Sequence, residues 1–413
     1  MVGTVAYGAV FGANERVNLA LVGAHNQGLG VALRIIRAGG HIKTLCDIDD
    51  AVIAKTLPEL EKAQGRRPGA AKDFRRVLDD GDIEAVIIAT PDHWHAHMVL
   101  WACQAGKDIY IEKPLSQTIR EGQLMRDAAR KYKRVAQVGL QGRSAEHYRT
   151  AAEYVATGKL GKICLVKAWH CQVRESIGNP PDGPVPAGVD YDAWLGPAPK
   201  RPFNPNRFHY NWRFFWDYGN SELGNQGVHS IDGAMQAIQA MRGLENCLPT
   251  RVSSSAGIYW LKDAKEVPDT QIVTYDFGDF LFVWELRSFS RNRPIESSSS
   301  GVAFYGTEAV LVAANNSWTV YPKDGGTGPA FRGSRALGAH EANFLECIKS
   351  RQRPNGDIEL GRLSTTMCHL GNISHHLKRE VRFDPRSETF GDDKAANAYL
   401  TKQYRSSYPL PRV

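Results

Sequence analysis

The chain has 413 residues, 42% hydrophobic and 23% charged, with 39 glycines. This is the balance of a globular protein of two to three domains, and it excludes a disordered, collagenous or coiled-coil chain. No uninterrupted apolar run reaches the roughly 18–20 residues of a membrane-spanning helix, and the net charge of +7 does not by itself select a nucleic-acid partner.

Residues 1–13 are small and apolar, and Phe11-Gly12-Ala13 looks like a small-residue cleavage site. They are an export-signal remnant, which would make the protein periplasmic, or a frayed start of a chain otherwise read as cytoplasmic. From Val17 strands and helices alternate. Strands are predicted at 17–23, 42–48, 84–90, 108–111 and 135–138. Helices are predicted at 28–38, 50–64, 94–105 and 118–133, and Asp73 should cap a short one ending at Leu78. Such alternation predicts a doubly wound parallel sheet.

The rhythm changes after Gly139. A helix over 144–158 leads into a strand over 162–173. Residues 178–205 hold eight of the 21 prolines and should carry no regular element. Strands at 251–259, 271–277, 280–289, 301–305 and 309–313 follow one another without helices, so they should pair antiparallel. Helices are predicted at 339–350 and 364–378, before a polar end that wraps the surface. The expected division is 1–14 leader, 15–138 first domain, 139–383 second, α+β domain and 384–413 tail. Seven scattered cysteines without a C-x-x-C pair argue against a disulfide framework or zinc ribbon.

The first strand runs into Gly23-Ala24-His25-Asn26-Gln27-Gly28 and then a helix. A dinucleotide site wants G-x-G-x-x-G here, so that backbone N–H groups meet the pyrophosphate at the helix N-terminus. Gly23 and Gly28 keep the turn and packing positions, while His25 replaces the middle glycine. Asp47 ends the second strand, where a carboxylate accepts from the ribose hydroxyls and repels a 2′-phosphate. The context predicts NAD, with NADP disfavoured. The alternative for Asp47 is a helix cap.

Two further segments, Ala89-Thr90-Pro91-Asp92-His93-Trp94-His95 and Ile109-Tyr110-Ile111-Glu112-Lys113-Pro114, resemble the glucose–fructose oxidoreductase / inositol dehydrogenase family (Gfo/Idh/MocA). The resemblance extends to Gly227-Val228-His229-Ser230-Ile231-Asp232 and the helix around Asn343–Ile348. It implies a Rossmann domain followed by an α/β domain with a large open, mainly antiparallel sheet. The active site would lie between them, and homo-oligomers would form through the second sheet. It further implies oxidation of a secondary hydroxyl of a sugar or polyol. Lys113 would act on the hydroxyl and the nicotinamide ribose, aimed by a bent or cis bond at Pro114. Thr90, Pro91, His93, His95 and Glu112 would stand at the cofactor, with Asn26, Gln27 and His25, and Trp94 beside the nicotinamide. His229 would be a second base or orienter. Family members often carry Asp four residues before this histidine; here it is Asn225, so Lys113, Asp232 or Glu222 would take over its part.

His93, His95 and His97 form H-x-H-x-H, but straddling a strand-to-helix turn their rings should diverge, and no spaced acid follows; no metal site is read. The aromatic run from Phe203 to Tyr218 would either stack on sugar faces or form a satellite core. In the first case Tyr210 and Trp212 contact substrate, and Arg207, His209 and Arg213 bind hydroxyls or acidic groups. Arg143 should reach the same cleft. No basic stripe with interleaved aromatics suits nucleic acid. Besides the dehydrogenase, two readings stay open: an NAD-dependent glycoside hydrolase working by transient oxidation, elimination and re-reduction, and a cofactor-holding protein without turnover, suggested by His25 and Asn225.

Overall fold

Local side-chain caps set three of the helix starts in the N-terminal half. Asp49 accepts from Ala51 N, Asp73 from Arg75 N, and Thr118 forms a reciprocal capping box with Glu121. A computed structural model describes residues 16–290, 298–333 and 338–413; the leader expected at 1–14 lies outside them. The first half runs β1 (Asn18–Val22), α1 (Gln27–Arg37), β2 (His41–Cys46), α2 (Asp50–Gln64), β3 (Gly69–Ala71), α3 (Phe74–Leu78), β4 (Ala85–Ile88), α4 (His95–Gln104), β5 (Asp108–Ile111), α5 (Ile119–Lys131) and β6 (Ala136–Val138). Its strands form a parallel sheet of order β3-β2-β1-β4-β5-β6. The order reverses between β1 and β4, which opens a crevice at their carboxyl ends.

The second half continues with α6 (Glu146–Ala156), β7 (Ile163–Cys171), α7 (Tyr191–Leu195) and α8 (Val228–Arg242). Then come β8 (Arg251–Gly257), β9 (Thr270–Asp276), β10 (Leu281–Arg287), β11 (Ser300–Gly306), β12 (Ala309–Ala314), β13 (Ser317–Pro322) and β14 (Ala330–Arg332). The chain closes with α9 (Ala339–Ser350), α10 (Ile358–Leu377), β15 (Val381–Arg382) and α11 (Lys394–Asn397). The nine strands pair in the order β14-β13-β12-β11-β7-β10-β9-β8-β15. Consecutive strands pair antiparallel as expected, but β7 inserts between β10 and β11 and runs parallel to β10. One face buries Phe282, Trp284 and Leu286 against the helical layer of α6, α8 and α10. The opposite face leaves Ile272, Leu281 and Tyr321 exposed.

The structure adds elements that the pattern did not announce. β3, β14 and β15 are two- or three-residue pieces at sheet edges, too short for alternation to register. α7 breaks the proline-rich stretch, its first turn capped by Asp190. α10 begins six residues before the predicted start, capped by Asp357. Among the described residues no helix is long and apolar enough to cross a membrane.

Candidate active site

A cleft of about 940 Å³ opens where the carboxyl ends of β1, β2, β4 and β5 face the second half of the chain. Gly23 turns at its rim with φ +79°, in contact with the backbone of Ala89 and Thr90. A side chain at Gly28 would run into the Gly23 carbonyl, so both glycines answer to close backbone approach. The N-terminus of α1 carries no side-chain cap and no acidic residue in its first turn. Its N–H groups therefore stand ready for an anion. Asp47 lines the cleft from the end of β2, with Oδ2 accepting from Ala24 N at 2.8 Å and Oδ1 from Asp49 N at 3.1 Å. These residues fit a dinucleotide. His25 does not block the turn: it lies over His209 with ring centroids 4.8 Å apart. His209 in turn binds the Asp49 carboxylate at 2.8 Å.

Lys113 and Glu112 follow β5 at the floor. The Lys113–Pro114 bond is cis. Lys113 Nζ donates to Asn225 O at 2.8 Å and to Asn225 Oδ1 at 3.1 Å. Burial pushes its pKa down, opposed by the charge of Glu112. Glu112 accepts from Gln27 Nε2 at 2.9 Å, which ties the floor to the glycine turn. Asn225 lies in a wide π-helical turn, Leu223–Gly227, that feeds α8, and His229 stands in the first turn of α8. That turn packs through Gly227 on the Trp284 ring, where a side chain would clash. His229 lines the cleft and is pushed down to about 3, by burial first and then by the Lys113 charge. It is therefore a neutral ring near pH 7.

Asp92 was missed by sequence reasoning, although it stands inside the segment that carries the resemblance. It lines the cleft and is 3% exposed; Oδ2 accepts from Asn220 Nδ2 at 2.8 Å, while Oδ1 is buried without a partner. Burial pushes its carboxyl up to about 7, against the Asn220 hydrogen bond and the Lys113 charge. Tyr408, from the polar tail, also reaches the cleft. Its carbonyl accepts from His97 Nε2 at 3.0 Å, and Tyr404 and Lys402 hold the tail to Glu121. No local pattern in a polar tail announces such docking.

Five expected site residues are placed elsewhere. Arg143 and Asp232 bind each other at 2.7 Å in the interior, and Asp232 also accepts from Ser364 Oγ. Arg207 binds Asp182 at 2.6 Å outside the cleft. His93 is fully buried, with Nε2 donating to Trp194 O. Each His95 ring nitrogen lies at hydrogen-bond distance of a carbonyl, Pro114 O at 2.9 Å and Thr90 O at 3.0 Å, so the ring braces two cleft loops from behind. The physical reason is that a polar side chain is as readily spent on a partner within the fold as on a ligand. Thr90, Pro91, Trp94, Tyr210 and Trp212 do line the cleft, as do His25, Asn26 and Gln27. The aromatic run divides: Phe203, Phe208, Phe214, Phe215 and Tyr218 pack with Trp194 as a separate core, leaving His209, Tyr210, Trp212 and Arg213 to line the cleft. Among the described residues no cluster of three metal-binding side chains occurs.

The buried imidazoles set an acid limit. His93 and His229 are pushed down to about 3, and His340, His369 and His376 to about 4, all chiefly by burial. The unfolded chain binds protons at these rings near the ordinary 6.5, and the folded chain does not. Stability is thus full above that value and is lost as the pH falls toward 4. Asp92 and other raised carboxyls act in the opposite direction. They are outnumbered by the histidines together with carboxyls held low, such as Glu222, where burial is outweighed only by the charge and hydrogen bonds of Arg174 together with the charges of His170 and Arg213. The melting temperature should fall steadily between about pH 6.5 and 4; a flat profile would contradict this account.

Comparison with known proteins bears on the same regions. Residues 17–140 match the family model for the NAD-binding Rossmann fold of the GFO_IDH_MocA oxidoreductases, and residues 168–309 and 334–410 match the C-terminal alpha/beta domain of that family. The chain is 31% identical over 216 residues to levoglucosan dehydrogenase of Pseudarthrobacter phenanthrenivorans, covering 50% of this chain and 48% of that protein. It is 30% identical over 112 residues to alpha-N-acetylgalactosaminidase of Shewanella oneidensis, covering 26% and 24%. The chain thus spans about half the length of the first relative and about a quarter of the second. The solved structure of levoglucosan dehydrogenase in complex with NADH and levoglucosan superposes with a TM-score of 0.67 at 19% identity, covering 89% of this chain and 99% of that one; this is a likeness of fold.

Proposed function

The chain belongs to the Gfo/Idh/MocA oxidoreductase family, with an NAD-binding Rossmann domain, and from that premise we propose that it transfers hydride between NAD and a secondary hydroxyl of a sugar or polyol. The observation that carries the reading is Lys113. Its side chain is half-buried in the same cleft as the dinucleotide turn, and its amine is hydrogen-bonded to the two oxygens of the neutral Asn225. Burial favours the uncharged amine, which is the form that accepts a proton from a hydroxyl.

NAD, when bound, supplies the hydride acceptor. Lys113 takes the hydroxyl proton as the carbinol becomes a carbonyl. The ammonium so formed is favoured by the charges of Glu112, Asp92 and Glu222, which stand in for the carboxylate absent at position 225. His229, neutral near pH 7, orients the hydroxyl by hydrogen bonding and carries no imidazolium charge. Asp47 favours NAD over NADP by facing the ribose with a carboxylate. Trp94, Tyr210 and Trp212 offer rings to the sugar faces. The exposed apolar residues Ile272, Leu281 and Tyr321 on one face of the second sheet support pairing of copies through that face.

A second reading draws on the relative named as an alpha-N-acetylgalactosaminidase: redox-assisted glycoside cleavage, in which hydride leaves a ring carbon and returns after elimination. A panel of free sugars and aryl glycosides, assayed for both reduced nicotinamide and released aglycone, separates the readings. Net reduced cofactor is the expected result. Aglycone release without net reduction would select the glycosidase, and neither signal would leave a cofactor-holding protein.

A further inference from the structure

Several buried or half-buried arginines among the described residues are met by carboxylates. Arg34 binds Glu341, Arg143 binds Asp232 and Arg174 binds Glu222, each at 2.7 Å, and Arg362 is held by Glu359 and Glu388 at 2.7 and 2.6 Å. Arg213 is different. It lines the cleft, where Nε donates to Tyr210 O at 2.7 Å and Nη1 to Asn225 Oδ1 at 3.1 Å. Among the described residues no carboxylate lies within ion-pair distance of it, and Nη2 has no hydrogen-bond partner. Its guanidinium lies over the Tyr210 ring, 4.1 Å from the centroid, and 5.0 Å from that of Trp212. Stacking of this kind fixes the plane and leaves an edge for an in-plane, two-oxygen acceptor.

We propose that Arg213 anchors a carboxylate of the substrate, so that the sugar acted on is an acidic one, a uronic acid or its glycoside. The inference rests on the oxidoreductase reading and names its substrate class. Both Arg213 Nη1 and Lys113 Nζ lie 3.1 Å from the same atom, Asn225 Oδ1. The two nitrogens are therefore at most two hydrogen-bond lengths apart, the span of one sugar ring from its carboxylate to a ring hydroxyl. Asn225 completes the logic. An aspartate there would neutralise Arg213 and repel an acidic substrate, whereas the amide holds both side chains and leaves the guanidinium without an ion-pair contact. The +7 net charge adds a weak attraction for anions. A single guanidinium edge matches the two in-plane oxygens of a carboxylate.

The test compares glucuronate and galacturonate with glucose, galactose and glucose 6-phosphate. Each is measured by turnover with NAD and by calorimetric binding to NADH-saturated protein, for the native chain, Arg213→Gln and Arg213→Lys. The native chain should prefer the uronates, and Arg213→Gln should cut the uronate-to-neutral ratio by about 10- to 100-fold, with partial recovery in Arg213→Lys. Uronate binding that depends on Arg213 without turnover of any sugar would keep the anchor and defeat the dehydrogenase reading. The anchor itself is overturned by three results: no preference for uronates in the native chain, an unchanged ratio in Arg213→Gln, or weaker NADH binding as that variant's main effect. A stronger response to the 6-phosphate than to the uronates overturns the carboxylate assignment.

Discussion

Lys113→Ala should lower sugar-dependent reduction of NAD by about 10²- to 10⁴-fold, the usual contribution of a positioned general base. The amine is held by Asn225 O and Oδ1 and has no ion-pair partner at hydrogen-bond distance among the described residues, so its removal strands no carboxylate in a broken pair. The glycine turn, the uncapped α1 N-terminus and Asp47 are untouched. Affinity for NADH, followed by its fluorescence, should change by less than about tenfold, the weight of one hydrogen bond to a charged group. Turnover near the native rate with intact NADH binding would remove Lys113 from the proton-transfer role and leave Asp92 as the titrating group of the cleft.

A second large effect concerns stability. Asp232→Ala should destabilise the fold by about 3–5 kcal/mol, because it strands Arg143 in the interior. The two side chains are 2% and 6% exposed and meet at 2.7 Å, and Ser364 Oγ also loses its acceptor. The midpoint of denaturant unfolding should drop, while the turnover of the protein that remains folded stays near native, because neither residue lines the cleft. A variant of native stability with impaired uptake of sugar would return Asp232 to the substrate. The double variant Arg143→Met with Asp232→Leu should recover much of the loss, since a buried pair removed whole leaves no charge uncompensated.

The placement of the regular elements was legible because their signals are local. A capped amphipathic helix such as α2 is announced within its own 15 residues, and the predicted bounds 50–64 coincide with the structure. The buried runs of β1, β4 and β5 carry the continuous apolar pattern of parallel strands. Sheet order was less accessible. β7 sits between β10 and β11, more than a hundred residues on, with α8 packed over β7 and β11.

The sequence by itself determined the turn chemistry of Gly23 and Gly28, the carboxylate at Asp47 and the Glu112-Lys113-Pro114 floor. Each rests on a backbone requirement or a short motif that survives any tertiary setting. Which polar groups line the cleft was decided by the tertiary structure alone. Arg143, Arg207, Arg174 and Arg213 look alike along the chain, yet three find carboxylates and one does not. The partners lie 89, 25 and 48 residues away. A buried charge must be paired or be met by a ligand, and which of the two applies depends on what the fold brings within about 3 Å. The same holds for Tyr408, a tail residue that becomes a cleft wall because His97 and Glu121 hold the tail in place.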